Sequence, residues 1–301
     1  MSTDTLDYTG TMNWKHGTTW YRVVGDLKSK KTPAVVLHGG PGAPHNYVLG
    51  IVNLIASTGR PVVVYDQIGC GQSTHLTDKP KDFWSVDLFK EELDLILKEL
   101  KISKNYLLVG QSWGGFLAFS HAVDKPKGLK GLIIANSLAS VPKWLPEIDR
   151  LVSELPTSHR RAVGKAVKSG NFDSPEFKAA NDYFTSQHLV RVPITSDVVE
   201  AFTQLDLNPV VYQAMWGPAE FAPIGSLRTW DVEDGLKNVK VPTLLINGKY
   251  DEVTPKTQKR LVKKMKGAEW VCLPYSSHLS WVEEPAAWIH AVSDFMKRKK
   301  L

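Results

Sequence analysis

Cysteine is nearly missing from this chain: Cys70 and Cys272 are the only two in 301 residues. Two are too few for a disulfide framework or a cysteine-ligated zinc cluster. Long apolar runs are missing as well. Pro33–Leu37 and Pro61–Tyr65 are among the longest and span about five residues, against the roughly twenty a membrane helix needs. No segment is therefore expected to cross a bilayer. Met1-Ser2-Thr3-Asp4 has neither a basic region nor an apolar core, so no secretory leader is expected. Dense charge of one sign is scarce too. The net charge of +6 comes from lysines spread along amphipathic segments, thicker only at Lys28–Lys31, Lys256–Lys266 and Lys297–Lys300. Solvated helix faces account for that spread better than a nucleic-acid-binding stripe. The expectation is a reduced, cytoplasmic protein with no nucleic-acid or membrane partner.

What is present is a globular balance, 43% apolar and 23% charged, in a length that suits one large domain or two ordinary ones. Gly10–Lys15 and Thr18–Val24 alternate and are rich in Thr, Trp, Tyr and Val, with His16-Gly17 between them, which predicts an antiparallel hairpin. Ala34–Leu37, Val62–Tyr65, Tyr106–Val109 and Leu132–Ile134 are short, wholly apolar runs, as in parallel strands covered on both faces. Between them, Phe89, Leu93, Ile96, Leu97 and Leu100 fall at helical spacing opposite a charged face, the mark of a surface crossover helix. This alternation predicts an α/β fold with a doubly wound, mostly parallel sheet. From Ala139 the strand signal stops for nearly a hundred residues. Helical pieces follow at Leu145–Leu155, Pro175–Leu189 and Asp197–Leu205, before strands resume at Thr243–Asn247 and Glu269–Leu273 and a helix closes the chain from about Pro285 to Lys297. The reading is a core of residues 1–138 and 236–301 interrupted by a helical cap at 139–235.

Gly110-Gln111-Ser112-Trp113-Gly114-Gly115, set between an apolar run and an apolar helix, matches the nucleophile-elbow pattern Gly-x-Ser-x-Gly. Small residues two before and two after the serine let the strained turn close, and the Trp113 amide then stands at a helix N-terminus suited to an oxyanion. His38-Gly39-Gly40-Pro41-Gly42 follows a strand in the same way and offers a second amide, with Gly40 the candidate donor. It lacks the lysine and hydroxyl of a phosphate-binding loop. A serine at the elbow also excludes hydrolases that use an aspartate there. In this fold the acid and then the histidine follow the serine in the chain. Asp251 lies just past the strand Thr243–Asn247, and His278 lies in the loop after the strand ending near Leu273. Of nine histidines, only His278 has both the order and the place. His38 reads as a structural hydrogen-bonder, and Asp66 as the tie of its own turn.

His38–Gly42, Asp66–Ser73, Gly110–Gly115, Asn247–Pro255 and Ser277-His278 together resemble the proline iminopeptidase family of α/β hydrolases, and the likeness runs along essentially the whole chain. It implies a triad of Ser112, Asp251 and His278, an oxyanion hole of the Gly40 and Trp113 amides, and no metal or organic cofactor. It further implies that Glu252 and Glu220, the latter within Gly217-Pro218-Ala219-Glu220-Phe221, grip the substrate's free α-amino group. Read alone, Glu220 is a solvated loop residue. Tyr212, Met215, Trp216 and Phe221 either wall an apolar side-chain pocket or form the core of the cap. Ile68 and Ala43-Pro44 depart from the pattern of strictly proline-selective members. The implied activity is thus release of proline or another apolar residue from short peptides or aminoacyl amides, with an amino-acid amidase or esterase as the alternative.

Overall fold

The computed structural model describes residues 6–301; Met1–Asp4, on which the leader expectation rests, lie outside them. The predicted hairpin forms as β1 (Asp7–Trp14) and β2 (Gly17–Val24). Its first strand starts three residues ahead of the alternating stretch, because pairing with β2 continues to Asp7 opposite Val24. The Arg22 side chain, two residue pairs inward, clamps the Asp7 carboxylate at 2.6 Å. The chain then alternates as β3 (Ala34–Leu37), α1 (Leu49–Ala56), β4 (Val62–Tyr65), α2 (Val86–Glu99), β5 (Tyr106–Gln111), α3 (Trp113–Val123) and β6 (Leu129–Ala135). A stretch of helices follows, α4 (Val141–Ser153), α5 (Thr157–Ser169), α6 (Pro175–His188), α7 (Ser196–Leu207) and α8 (Val210–Met215). Alternation returns with β7 (Thr243–Gly248), α9 (Pro255–Lys264), β8 (Glu269–Leu273), α10 (Ser280–Glu283) and α11 (Pro285–Arg298).

The eight strands form one sheet in the order β1-β2-β4-β3-β5-β6-β7-β8. The hairpin is antiparallel, and β3 to β8 are mutually parallel. Alternate residues of each central strand serve opposite faces. Val36, Val64, Val109 and Ile246 pack under α1 and α11, whereas Leu37, Tyr65, Leu108 and Ile134 pack under α2, α3 and the inserted helices. Burial on both faces is why these strands read as unbroken apolar runs.

The insertion leaves and returns through a narrow neck. Ser140 bridges Asp231, Val141 N–H donates to Trp230 O at 3.0 Å, and Val232 N–H donates to Ala139 O at 2.9 Å. Its apolar side chains, among them Trp144, Ile148, Phe177 and Phe184, join the same buried cluster as the sheet face below. The Ser174-Pro175 start signal opens α6, with Ser174 Oγ accepting from Phe177 N at 3.2 Å. The first inserted helix begins at Val141, four residues before the predicted Leu145, because Ser140 caps it and Pro142 occupies its first turn. Helix α5 is not among the predicted pieces; it buries only Val163 and Ala166, too thin a stripe to mark it. Among the described residues, no helix is long and apolar enough to cross a membrane.

Candidate active site

Ser112 stands between β5 and α3 with φ of 52° and ψ of −123°, a backbone conformation that L-residues avoid and that functional turns retain. The two glycines that flank it are sterically required. A Cβ on Gly110 would collide with the Gly114 carbonyl, and one on Gly114 with the Leu37 carbonyl of the neighbouring strand. As first residue of α3, Trp113 has an amide with no intrahelical partner. Its indole is braced separately, Nε1–H donating to Gln67 Oε1 at 2.8 Å. Gly40 sits at φ +105° in the loop after β3, and Gly40, Ser112, Trp113, Glu220, Glu252 and His278 border one small cavity.

His278 is buried, and its Nδ1 donates to Asp251 Oδ1 at 2.9 Å, which leaves Nε2 as the proton acceptor. Asp251 is itself held on three sides. Its Oδ1 also accepts from Val253 N at 2.9 Å, and its Oδ2 accepts from Asn136 Nδ2 at 2.7 Å. Asn136 donates as well to Ser277 O at 3.0 Å and accepts from the Ser280 hydroxyl at 2.6 Å, so one amide at the end of β6 fastens both the acid and the base loops. The inserted segment after α6 adds another tie. His278 N–H donates to His188 O at 3.1 Å and Leu279 N–H to Leu189 O at 2.9 Å. His188 Nδ1 donates to the Tyr250 carbonyl at 2.9 Å, next to Asp251.

Glu252 and Glu220 border the same cavity. Glu252 is 3% exposed and its Oε2 has no partner; its Oε1 lies 3.9 Å from His278 Nδ1. Tyr212 donates its hydroxyl to Glu220 Oε1 at 2.8 Å. Burial raises the pKa of both carboxyls, that of Glu252 well above its usual range with the Glu220 charge adding to it. Burial alone would depress the His278 pKa, but Asp251, Glu252 and Glu220 outweigh it and hold it at about 9. Two carboxyl groups side by side, Glu252 buried and Glu220 half-buried, have the acceptor capacity to take up a cation.

Asn136 also borders the cavity, and its other walls are apolar: Phe116, Leu138, Trp144, Trp216, Leu227 and Val253. It encloses about 10 Å³, room for a single water. Of the four apolar residues singled out from the sequence, only Trp216 lines it. Phe221 packs against Phe177 and Phe184 in the core of the insertion, Met215 is wholly buried, and Tyr212 faces a second, outer cavity. Trp144, Phe116 and Leu227 carry no motif that would have marked them.

The other clusters are structural. His38, Asp66 and Cys70 bring potential metal ligands together, but their atoms are already spent. His38 Nε2 accepts from Gln67 N at 3.0 Å and its Nδ1 donates to Gly39 O at 3.0 Å. Burial drops the His38 pKa to about 4. Asp66 accepts from the amides of His45 at 2.6 Å and Gln72 at 2.8 Å, as expected of the tie of its turn, and Cys70 Sγ donates to Gln67 O at 3.2 Å.

The family model described as alpha/beta hydrolase fold matches residues 32–285. The proline iminopeptidase of Levilactobacillus brevis is 40% identical over 272 residues, 90% of either chain. That of Lactiplantibacillus plantarum is 37% identical over 273 residues, 90% of this chain and 94% of its own. Among solved structures, the crystal structure of VinJ superposes with a TM-score of 0.93 at 42% identity, covering 97% of this chain and 98% of VinJ. The crystal structure of the proline iminopeptidase of Mycobacterium smegmatis gives a TM-score of 0.87 at 37% identity over the same shares.

Proposed function

The chain belongs to the proline iminopeptidase family of α/β hydrolases, and we propose that it releases an N-terminal amino acid, proline or another apolar residue, from short peptides or aminoacyl amides. Ser112 Oγ attacks the carbonyl carbon while His278 Nε2 takes its proton, and Asp251 keeps the imidazole in the required tautomer. The amides of Gly40 and Trp113 receive the charge that develops on the carbonyl oxygen, each donor supplying roughly 3–4 kcal/mol if side-chain examples transfer. The tetrahedral species collapses as His278 returns the proton to the departing amine. Water then repeats the sequence on the acyl-enzyme. Glu220 and Glu252 hold the substrate ammonium, and residues 139–235 act as the cap that keeps water from it.

The observation that carries this reading is the pair of carboxyls, one buried and one half-buried, in the serine and histidine cavity. A general esterase has no use for them, since an unpaired buried carboxylate is costly. The test compares aminoacyl-arylamides with their N-acetylated forms. Acetylation should cut kcat/KM by at least about a hundredfold, as expected when buried charges lose a partner, and Ser112→Ala should abolish turnover of both. Equal rates on free and acetylated substrates would refute the ammonium grip and leave an esterase.

A further inference from the structure

Asn136 fastens the acid and base loops from the sheet, and one residue of the insertion bonds to the same two loops. His188 ends α6, where the last carbonyls of a helix have no intrahelical partner. Its carbonyl accepts from the amide of His278 at 3.1 Å. Its imidazole Nδ1 donates to the Tyr250 carbonyl at 2.9 Å, one peptide before Asp251. Asp251 and His278 are 27 positions apart in the chain, so His188 spans a gap that neither loop closes alone. The ring is not free to turn away. It is half-buried and packs on the wholly buried Phe184, the ring centroids 4.8 Å apart. Burial lowers its pKa, so at neutral pH and above the ring is uncharged and its single N–H is the one given to Tyr250.

We propose that His188 is a positioning residue: its side chain fixes the peptide before Asp251 while its carbonyl fixes His278, so that acid and base meet at hydrogen-bond distance. The inference rests on the triad reading above and adds a residue to it. The 2.9 Å bond from His278 to Asp251 is what keeps Nε2 facing the serine. The bonds to the Asp251 carboxylate set how that group is turned, whereas the bond at Tyr250 sets where the loop that carries it stands. A displaced loop lengthens the bond and swings the imidazole, and a misplacement of about 1 Å can cost a hundredfold in rate. His188 does not border the inner cavity, so its loss should spare substrate binding.

The test compares His188→Phe, which keeps a ring on Phe184 but has no donor, with His188→Asn, whose amide nitrogen stands where Nδ1 does. Three quantities are read in the full chain: hydrolysis of proline and leucine arylamides, phosphonylation of Ser112 by a neutral organophosphonate, and the downfield resonance of the proton between His278 and Asp251. The phosphonate needs no ammonium site, and its first-order rate constant does not depend on how much of a variant is folded. His188→Phe should lower kcat and the phosphonylation rate by the same factor, about three- to tenfold, the worth of one hydrogen bond. KM should stay unchanged, and the resonance should shift or broaden. His188→Asn should bring all three back to the wild-type values. Wild-type rates in His188→Phe, whatever its Tm, would reduce the bond to a helix cap and overturn the proposal. A His188→Asn as slow as His188→Phe would overturn it too, since packing rather than the donor would then matter. If the wild type cleaves no arylamide yet is phosphonylated at Ser112, the aminopeptidase reading fails, and the phosphonylation rates still decide for or against His188. A wild type that is not phosphonylated at Ser112 overturns the triad and the role of His188 with it.

Discussion

Replacing Glu252 by glutamine should lower the pH at which His278 becomes a base by one to two units. The glutamate oxygen lies 3.9 Å from the imidazole Nδ1. At an effective dielectric of about 20, a full charge there stabilises the imidazolium by about 4 kcal/mol, close to three pKa units. Glu252 carries less than a full charge, because burial raises its own pKa and the Glu220 charge adds to it. A partial charge leaves less than those three units, and a drop of one to two would take His278 from about 9 to about 7.5. A neutral organophosphonate that phosphonylates Ser112 needs the free base and brings no ammonium of its own, so its inactivation rate against pH reports the unliganded enzyme. The rate should rise through pH about 9 in the wild type and about 7.5 in Glu252→Gln. An aminoacyl substrate delivers its own cation to the two carboxyls and should do by binding what the substitution does by mutation, moving the acidic limb of kcat below 9. Wild-type inactivation that already levels off near 6.5, or a limb that Glu252→Gln leaves in place, would show that these carboxylates do not govern the base.

Asn136→Ala removes the 2.7 Å hydrogen bond to Asp251 and the tie to the base loop; kcat should fall about tenfold or more with little change in KM, as expected for a lost positioning contact, measured by single-turnover acylation. Trp216→Ala opens the tight apolar wall and should move kcat/KM from proline toward leucine or phenylalanine arylamides, at a cost of about 3–5 kcal/mol in stability. Glu92, buried on α2, accepts from the Thr19 hydroxyl at 2.5 Å and the Ile68 amide at 2.8 Å, and burial raises its pKa to about 8. That raised value favours the fold below the unfolded-chain pKa near 4.3, and the advantage is lost as pH climbs through 8. Glu92→Gln should therefore match the wild-type Tm at pH 5 and exceed it at pH 9, by an amount equivalent to about 2–4 kcal/mol. A Tm difference that does not change between the two pH values would show that Glu92 is charged in the fold at neutral pH.

The parts of the molecule that the sequence makes legible are those whose cause is local. Val62–Tyr65 can be read as a buried strand because all four residues are covered on both faces, and Gly110 and Gly114 mark the elbow because no other residue fits there. Chain order places Asp251 and His278. Glu220 is different. Nothing near it in the chain says that it faces Glu252, and only the family resemblance points to it. Asn136 escapes reading altogether. Its partner Asp251 is 115 positions away, and a polar residue ending a strand looks like any other loop residue until the fold brings the two together. The walls of the inner cavity escape for the same reason: Trp144 and Leu227 come from opposite ends of the insertion, and the side chains between them belong to its own core.

The hydrogen bonds from His278 and Leu279 to the carbonyls of His188 and Leu189 bear on how specificity in such a molecule could be altered. The insertion supplies Glu220, Trp144, Trp216 and Leu227 to the inner cavity, yet the same chain segment carries two of the backbone bonds on which the His278 loop hangs. A graft of residues 139–235 from a relative would thus import a foreign anchor for the histidine together with the foreign pocket. The seam at Ala139 and Val232 looks like a clean place to cut, but the unit that must travel intact also includes Ser277–Glu283, since Glu283 accepts from both Ser277 and the Arg191 amide of the insertion. Insertion and His278 loop are thus tied as one piece, and a chimaera that honours only the neck should fold with His278 turned away from Ser112.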